Sequence, residues 1–313
     1  MIDRSAQRHT SDSAGAAAGA AAGAAAGAAA GAAAGAAAGA AAGAAAGAAL
    51  GVAVAQFAPG RDAAANLADM SALAETAVAR GARLIVFPEY SAFFEPVMSL
   101  SFVAAAEPLN GPFVTALAAL AAACGVHIVA GMLEATDDPS RFSNTLIAVD
   151  PAGQMVAKYR KLHLYDAFGD RESDWVLAGA VEDPETFCAG GLRVGLQTCY
   201  DIRFPEVTRR LVDAGVELVL VPAEWVRGPL KEQHWRTLLT ARALENTVYL
   251  AAADHAPPVG VGNSMVVDPM GVELVTIGET TDVAVAWVLP ERVTAVRARN
   301  PALALRRFAV VPR

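Results

Sequence analysis

The chain has 313 residues, enough to bury a large core, and its 24 basic side chains against 32 acidic ones leave a net charge of −8. That balance, with no basic stripe, argues against a nucleic-acid partner. The three cysteines (Cys124, Cys188 and Cys199) and five scattered histidines show no metal-ligand spacing, so neither a metal nor another cofactor is expected. Sparse thiols of this kind suit a reducing cytoplasm better than a disulfide framework.

From Gly15 to Gly51 a glycine recurs at every fourth position, with alanines filling nearly all the gaps. Each glycine costs a helix about 1 kcal/mol and alanine offers little to pack, so residues 1–50 are expected to be a marginal helix or a disordered tail. The repeat is long and uncharged, but it holds no Leu, Ile, Val or Phe before Leu50. A membrane span or a secretory signal is therefore not expected. Residues 51–313 have the size of a single α/β domain.

Within that body, short β-branched runs alternate with helical patterns. Residues 52–57 read as a strand. Residues 62–80 read as a helix with Leu67, Met70, Leu73, Ala74, Ala77 and Val78 on one face, stopped by Gly81. A strand at 83–87, a helix at 113–123 and a strand at 126–133 follow. Residues 144–149 and 154–159 flank the turn Asp150-Pro151-Ala152-Gly153 as a hairpin. The order then repeats: strand 192–198, helix 205–214, strand 217–221, helix 235–246, strand 248–253, and a hairpin around Asp268-Pro269-Met270-Gly271.

The stretches "SNTLIAVDPAGQ" and "GNSMVVDPMGVE" look like copies of one element, as do "LIVFPE" and "LVLVPAE". Two similar α/β halves imply two sheets packed face to face with helices outside, because both faces of each sheet must be covered. Such sheets carry functional groups at the carboxyl ends of their strands, where Glu89, Lys161 and Cys199 fall.

Taken singly, these residues have ordinary explanations. Free cysteines are usually small buried hydrophobes, and Cys124 and Cys188 read as core. Glu89 could cap a helix, and Lys161 could belong to a solvated basic loop. Taken together, "VFPEY", "KYRKLHLYDAFGDRESDW", "QTCYDIRFPE" and "GNSMVVDPMG" resemble the nitrilase, or carbon–nitrogen hydrolase, superfamily over residues 52–288. The resemblance implies an αββα sandwich of two mixed sheets, assembly as a homodimer or larger homo-oligomer, and a catalytic set of Glu89, Lys161 and Cys199. A second glutamate, Glu172, would hold Lys161 or the substrate in place.

In that scheme Glu89 is the general base and Cys199 the nucleophile, with Lys161 lowering the thiol pKa. Lys161 and the backbone N–H of Tyr200 would receive the oxyanion. Trp225 is expected to line the substrate pocket. Arg203 would meet a substrate carboxylate or, as the safer expectation, pair with Glu206. Glu224 matches Glu89 in the second half and is a rival carboxylate. The run Cys199-Tyr200-Asp201 looks like the amidase branch, which implies hydrolysis of a small carboxamide through an acyl-thioester. The competing readings are a nitrile or N-carbamoyl hydrolase and a non-catalytic scaffold of the same fold.

Overall fold

The computed structural model describes residues 49–312, so the alanine–glycine tract lies almost wholly outside the described residues. The first half of the body runs β1 (Leu50–Gln56), α1 (Ala63–Ala79), β2 (Leu84–Val86), α2 (Leu100–Ala104), α3 (Pro112–Cys124), β3 (His127–Ala135), β4 (Phe142–Val149) and β5 (Met155–Arg160). The second half runs β6 (Thr186–Ala189), β7 (Leu192–Leu196), α4 (Pro205–Asp213), β8 (Leu218–Pro222), α5 (Lys231–Asn246), β9 (Tyr249–Ala253), β10 (Met265–Val267) and β11 (Glu273–Thr276). The chain then adds β12 (Asp282–Val288) and α6 (Pro290–Arg299).

Two six-stranded mixed sheets result, ordered β12-β1-β2-β3-β4-β5 and β11-β10-β9-β8-β7-β6. Alternation along each strand makes the layers. Val52, Val54, Leu84 and Val86 meet Val194, Leu196, Leu218 and Leu220 between the sheets. Ala53, Ala55 and Ile85 face the other way, onto Met70 of α1 and Leu117 of α3. In the second sheet Val219, Val221 and Leu250 face Leu211 of α4 and Trp235 and Leu239 of α5. The expected αββα sandwich of two packed mixed sheets is the observed fold. Burying each large apolar side chain in these layers contributes about 1.5–3 kcal/mol.

Local chemistry sets the helix ends. Asp62 Oδ1 accepts from the backbone N–H groups of Ala64 and Ala65 at 2.9 and 3.2 Å, capping α1. α5 starts a turn earlier than the expected 235, because its first turn, Lys231 to His234, is polar and carries no apolar period. β12 leaves its own half and pairs antiparallel with β1, Val52 opposite Ala286. Cys188 departs from its expected core position. It lies at an outward-facing place on edge strand β6 and is exposed, while Cys124 is partly buried against the first core. No helix among the described residues is long and apolar enough to cross a membrane.

Candidate active site

Glu89, Lys161, Glu172 and Cys199 converge on one hydrogen-bonded cluster at a cavity wall. Glu89 lies in the turn after β2, Lys161 directly follows β5, and Cys199 opens a 3-10 turn at Cys199–Arg203 after β7. Gly131 of β3 lets the Glu89 turn pack against the sheet, since a Cβ there would sit 2.5 Å from Tyr90 N and 2.7 Å from Glu89 Cα. His255, its pKa lowered to about 4 by burial, is neutral. Its Nε2 lies 2.7 Å from the Glu89 carbonyl and so carries the proton that is donated.

Cys199 has φ of +43°, a left-handed conformation that costs a non-glycine residue on the order of 1–3 kcal/mol. The wholly buried Asp201 holds the turn. Its carboxylate accepts from Tyr159 Oη (2.8 Å), His163 N (3.0 Å) and Thr198 N (3.2 Å), and lies 2.8 Å from His163 Nδ1. The cysteine turn is thereby tied to the same segment that carries Lys161.

Lys161 Nζ donates to Glu89 Oε1 at 2.9 Å and to Glu172 Oε1 at 3.0 Å. Asn144 Nδ2 donates to the same two carboxylates at 2.6 and 3.2 Å, and Tyr90 Oη donates to Glu172 at 2.7 Å. Burial opposes the Lys161 charge, but Glu172 and Glu89 outweigh it and hold the ammonium pKa well above its ordinary value. Burial raises the Glu89 pKa against the pull of Lys161.

The thiol differs from its expectation. Burial first, and then the Glu89 charge, push the Cys199 pKa well above the ordinary thiol value, with Lys161 opposing them in part. The resting group is a protonated thiol whose Sγ donates to the Glu224 carbonyl at 3.4 Å. The ammonium does not suffice to ionise it, because Lys161 is already shared between two carboxylates.

A cavity of about 400 Å³ opens on these groups and is also lined by Tyr165, Tyr200, Glu224, Trp225 and Lys231. A larger groove of about 720 Å³, walled partly by residues 310–312, holds none of the four converging side chains. Trp225 lines this cavity, and the backbone N–H of Tyr200 engages no acceptor among the described hydrogen bonds. Arg203 forms no ion pair with Glu206, contrary to the safer expectation. Its guanidinium lies 4.8 Å from the Trp225 ring centroid and 3.4 Å from His234 Nδ1. Glu206 is exposed in the first turn of α4, and the intervening Phe204 stacks on His163 with centroids 3.7 Å apart.

Lys231 is a site residue that the sequence reading missed. It is buried, donates to Tyr165 Oη at 2.6 Å and stands 4.2 Å from the Phe168 ring centroid. The Tyr165 phenol is pushed up to about 12, mainly by burial, so it is neutral and leaves the Lys231 charge uncancelled. Asn144 and Tyr90 were also missed. The available signal was the polar run Ser143-Asn144-Thr145 at the start of an otherwise apolar strand for Asn144, and the position next to Glu89 for Tyr90.

The family model for carbon-nitrogen hydrolases matches residues 51–298. The chain belongs to the carbon-nitrogen hydrolase family. It is a hydrolase acting on carbon–nitrogen bonds. This carbon-nitrogen hydrolase is 38% identical over 263 residues to a hydrolase of Mycobacterium tuberculosis, a match covering 79% of this chain and 92% of the relative. It is 48% identical over 171 residues to the deaminated glutathione amidase of Escherichia coli O157:H7, covering 55% of this chain and 64% of that protein's length. Among solved structures it resembles a Glu-to-Gln variant of the amidase from Nesterenkonia sp. AN1, at a TM-score of 0.66 and 27% identity, covering 82% of this chain and 97% of the other. In that amidase the acetamide moiety of fluoroacetamide is added covalently at the active-site cysteine.

Proposed function

We propose that the chain hydrolyses a small carboxamide to an acid and ammonia through an acyl-thioester on Cys199. The observation that carries this reading is one ammonium, Lys161, bridging two buried carboxylates beside a buried thiol at a cavity wall. Sγ adds to the amide carbon as its proton passes to Glu89, whose raised pKa suits a base working near neutral pH. The oxyanion is received by Lys161 and the Tyr200 N–H. Donors of this kind contribute about 3–4 kcal/mol each in the transition state. The C–N bond breaks as Glu89 returns the proton to the departing amine. Water then attacks the thioester while Glu89 takes its proton, the C–S bond breaks, and the thiol is regenerated.

Glu172 holds Lys161 in place and, through Asn144 and Tyr90, fixes the network. The covalent adduct of the Nesterenkonia amidase supports the choice of cysteine as nucleophile. The amidase name of the Escherichia coli relative supports an amide over a nitrile or a carbamoyl compound. Arg203 and Lys231 have no carboxylate partner among the described residues, so a carboxylate on the substrate would complete them. Ammonia release should be screened with ω-amides, simple nitriles and N-carbamoyl compounds. Release from ω-amides that disappears in Cys199→Ala and Lys161→Ala is expected; release from nitriles or carbamoyl compounds alone would reject the reading.

A further inference from the structure

Glu224 lies just beyond β8, with its backbone built into the site. Its N–H donates to Glu89 Oε2 at 2.7 Å and its carbonyl accepts from Cys199 Sγ. Its side chain is left out. Neither carboxyl oxygen has a hydrogen-bond or ion-pair partner among the described residues, and Oε1 is sealed from solvent. A buried polar atom without a partner costs about 1–3 kcal/mol. In a cavity wall that cost disappears when a ligand brings a donor.

The adjacent Trp225 ring carries the complementary deficit. Arg203 and Lys231 stand 4.8 and 5.7 Å from its centroid, two cations without an anion. The cavity therefore presents an acceptor lacking a donor at Glu224 and a cation lacking a carboxylate at Lys231, with Arg203 beside the Trp225 ring that follows Glu224. Burial first, and then the Glu89 and Asp254 charges, push the Glu224 pKa well above the ordinary carboxyl value, and a cation set beside this carboxyl would offset the two charge effects.

We propose that Glu224 is a specificity-determining residue that receives an ammonium group of the substrate, which makes the substrate the ω-amide of an amino acid. The three polar groups of such a molecule each find a counterpart. The carboxamide meets Cys199, the carboxylate meets Arg203 and Lys231, and the ammonium meets Glu224. Arg203 and Lys231 alone would favour an anion over a zwitterion; Glu224 reverses that order. This inference rests on the amidase reading for its carboxamide.

The test compares L-glutamine with glutaramate, the same ω-amide without the ammonium. Each is titrated calorimetrically into Cys199→Ala protein, and into the same protein carrying Glu224→Ala or the isosteric Glu224→Gln. L-Glutamine should bind more tightly than glutaramate, and loss of the Glu224 carboxyl should weaken L-glutamine relative to glutaramate roughly tenfold or more. L-Glutamine binding no tighter than glutaramate, not binding, or weakening in step with it would overturn the proposal. Ammonia release by the unaltered protein is read separately. Preserved binding preference without release would reject the amidase reading alone, whereas release from glutaramate with no preference for L-glutamine would reject this inference alone.

Discussion

Glu89 is wholly enclosed, yet three donors converge on its two oxygens: Asn144 Nδ2, Lys161 Nζ and the Glu224 N–H, at 2.6, 2.9 and 2.7 Å. Burial raises its pKa, and the base form is the one the proposed mechanism uses. The ionised fraction falls as pH drops through the raised value, so the acid limb of kcat/KM should lie above the ordinary glutamate pKa of about 4.3. Lys161, held above its ordinary value, stays charged through the neutral range. Its contribution to stability is full below the unfolded lysine pKa and is lost only as pH rises through the folded one. Glu89→Gln should lower kcat by roughly 10²–10⁴ while leaving the far-UV circular dichroism unchanged. A near-normal rate in that variant would move the base role to Glu224. Glu89, Lys161 and Cys199 were legible because each stands in a short motif at or just beyond a strand end, whereas Glu172, in a 3-10 turn well past β5, was legible only through the family resemblance of its segment. Asn144 was not, since an asparagine inside strand β4 acquires its role only from Glu89 and Glu172, which lie far from it along the chain.

Gly131 and Gly125 show how single elements serve the site differently. At Gly131 on β3 an added Cβ meets the Glu89 turn backbone at 2.5–2.7 Å, and backbone cannot swing aside as a side chain would. Gly131→Ala should cost about 1–3 kcal/mol of stability. It should also lower kcat/KM roughly a hundredfold, because a displacement of about 1 Å at the base suffices for that. Gly125 ends α3 at φ of +65° with open space around it. Gly125→Ala should therefore lose stability with turnover retained. Equal turnover in both variants, measured beside their melting temperatures, would contradict the role given to Gly131. Most elements were legible from period-two runs and from turn residues such as Asp150-Pro151-Ala152-Gly153. β6 escaped notice because it is a four-residue edge strand with only half its side chains buried. β12 escaped because its partner β1 lies at the other end of the domain.

At the scale of the whole molecule, two sheets packed face to face bring strand ends from both halves to one cavity. Glu89 and Lys161 come from the first sheet, and Cys199 and Glu224 from the second. The duplication of the halves could be read from repeated motifs. The charge balance at their junction could not, because the Cys199 pKa depends on how deeply the sheets bury it. Arg203 illustrates the same limit: its neighbours Trp225 and His234 belong to later segments, so local pairing with Glu206 was the natural but incorrect expectation. This junction is what we propose makes Cys199 a nucleophile. Intact-protein mass spectrometry after acid quench of a reaction with an ω-amide tests it most directly. A mass gain equal to the acyl group is expected, mapped to Cys199, absent in Cys199→Ala and retained in Cys124→Ala and Cys188→Ala. An adduct on Cys124 or Cys188, or ammonia release surviving in Cys199→Ala, would contradict it.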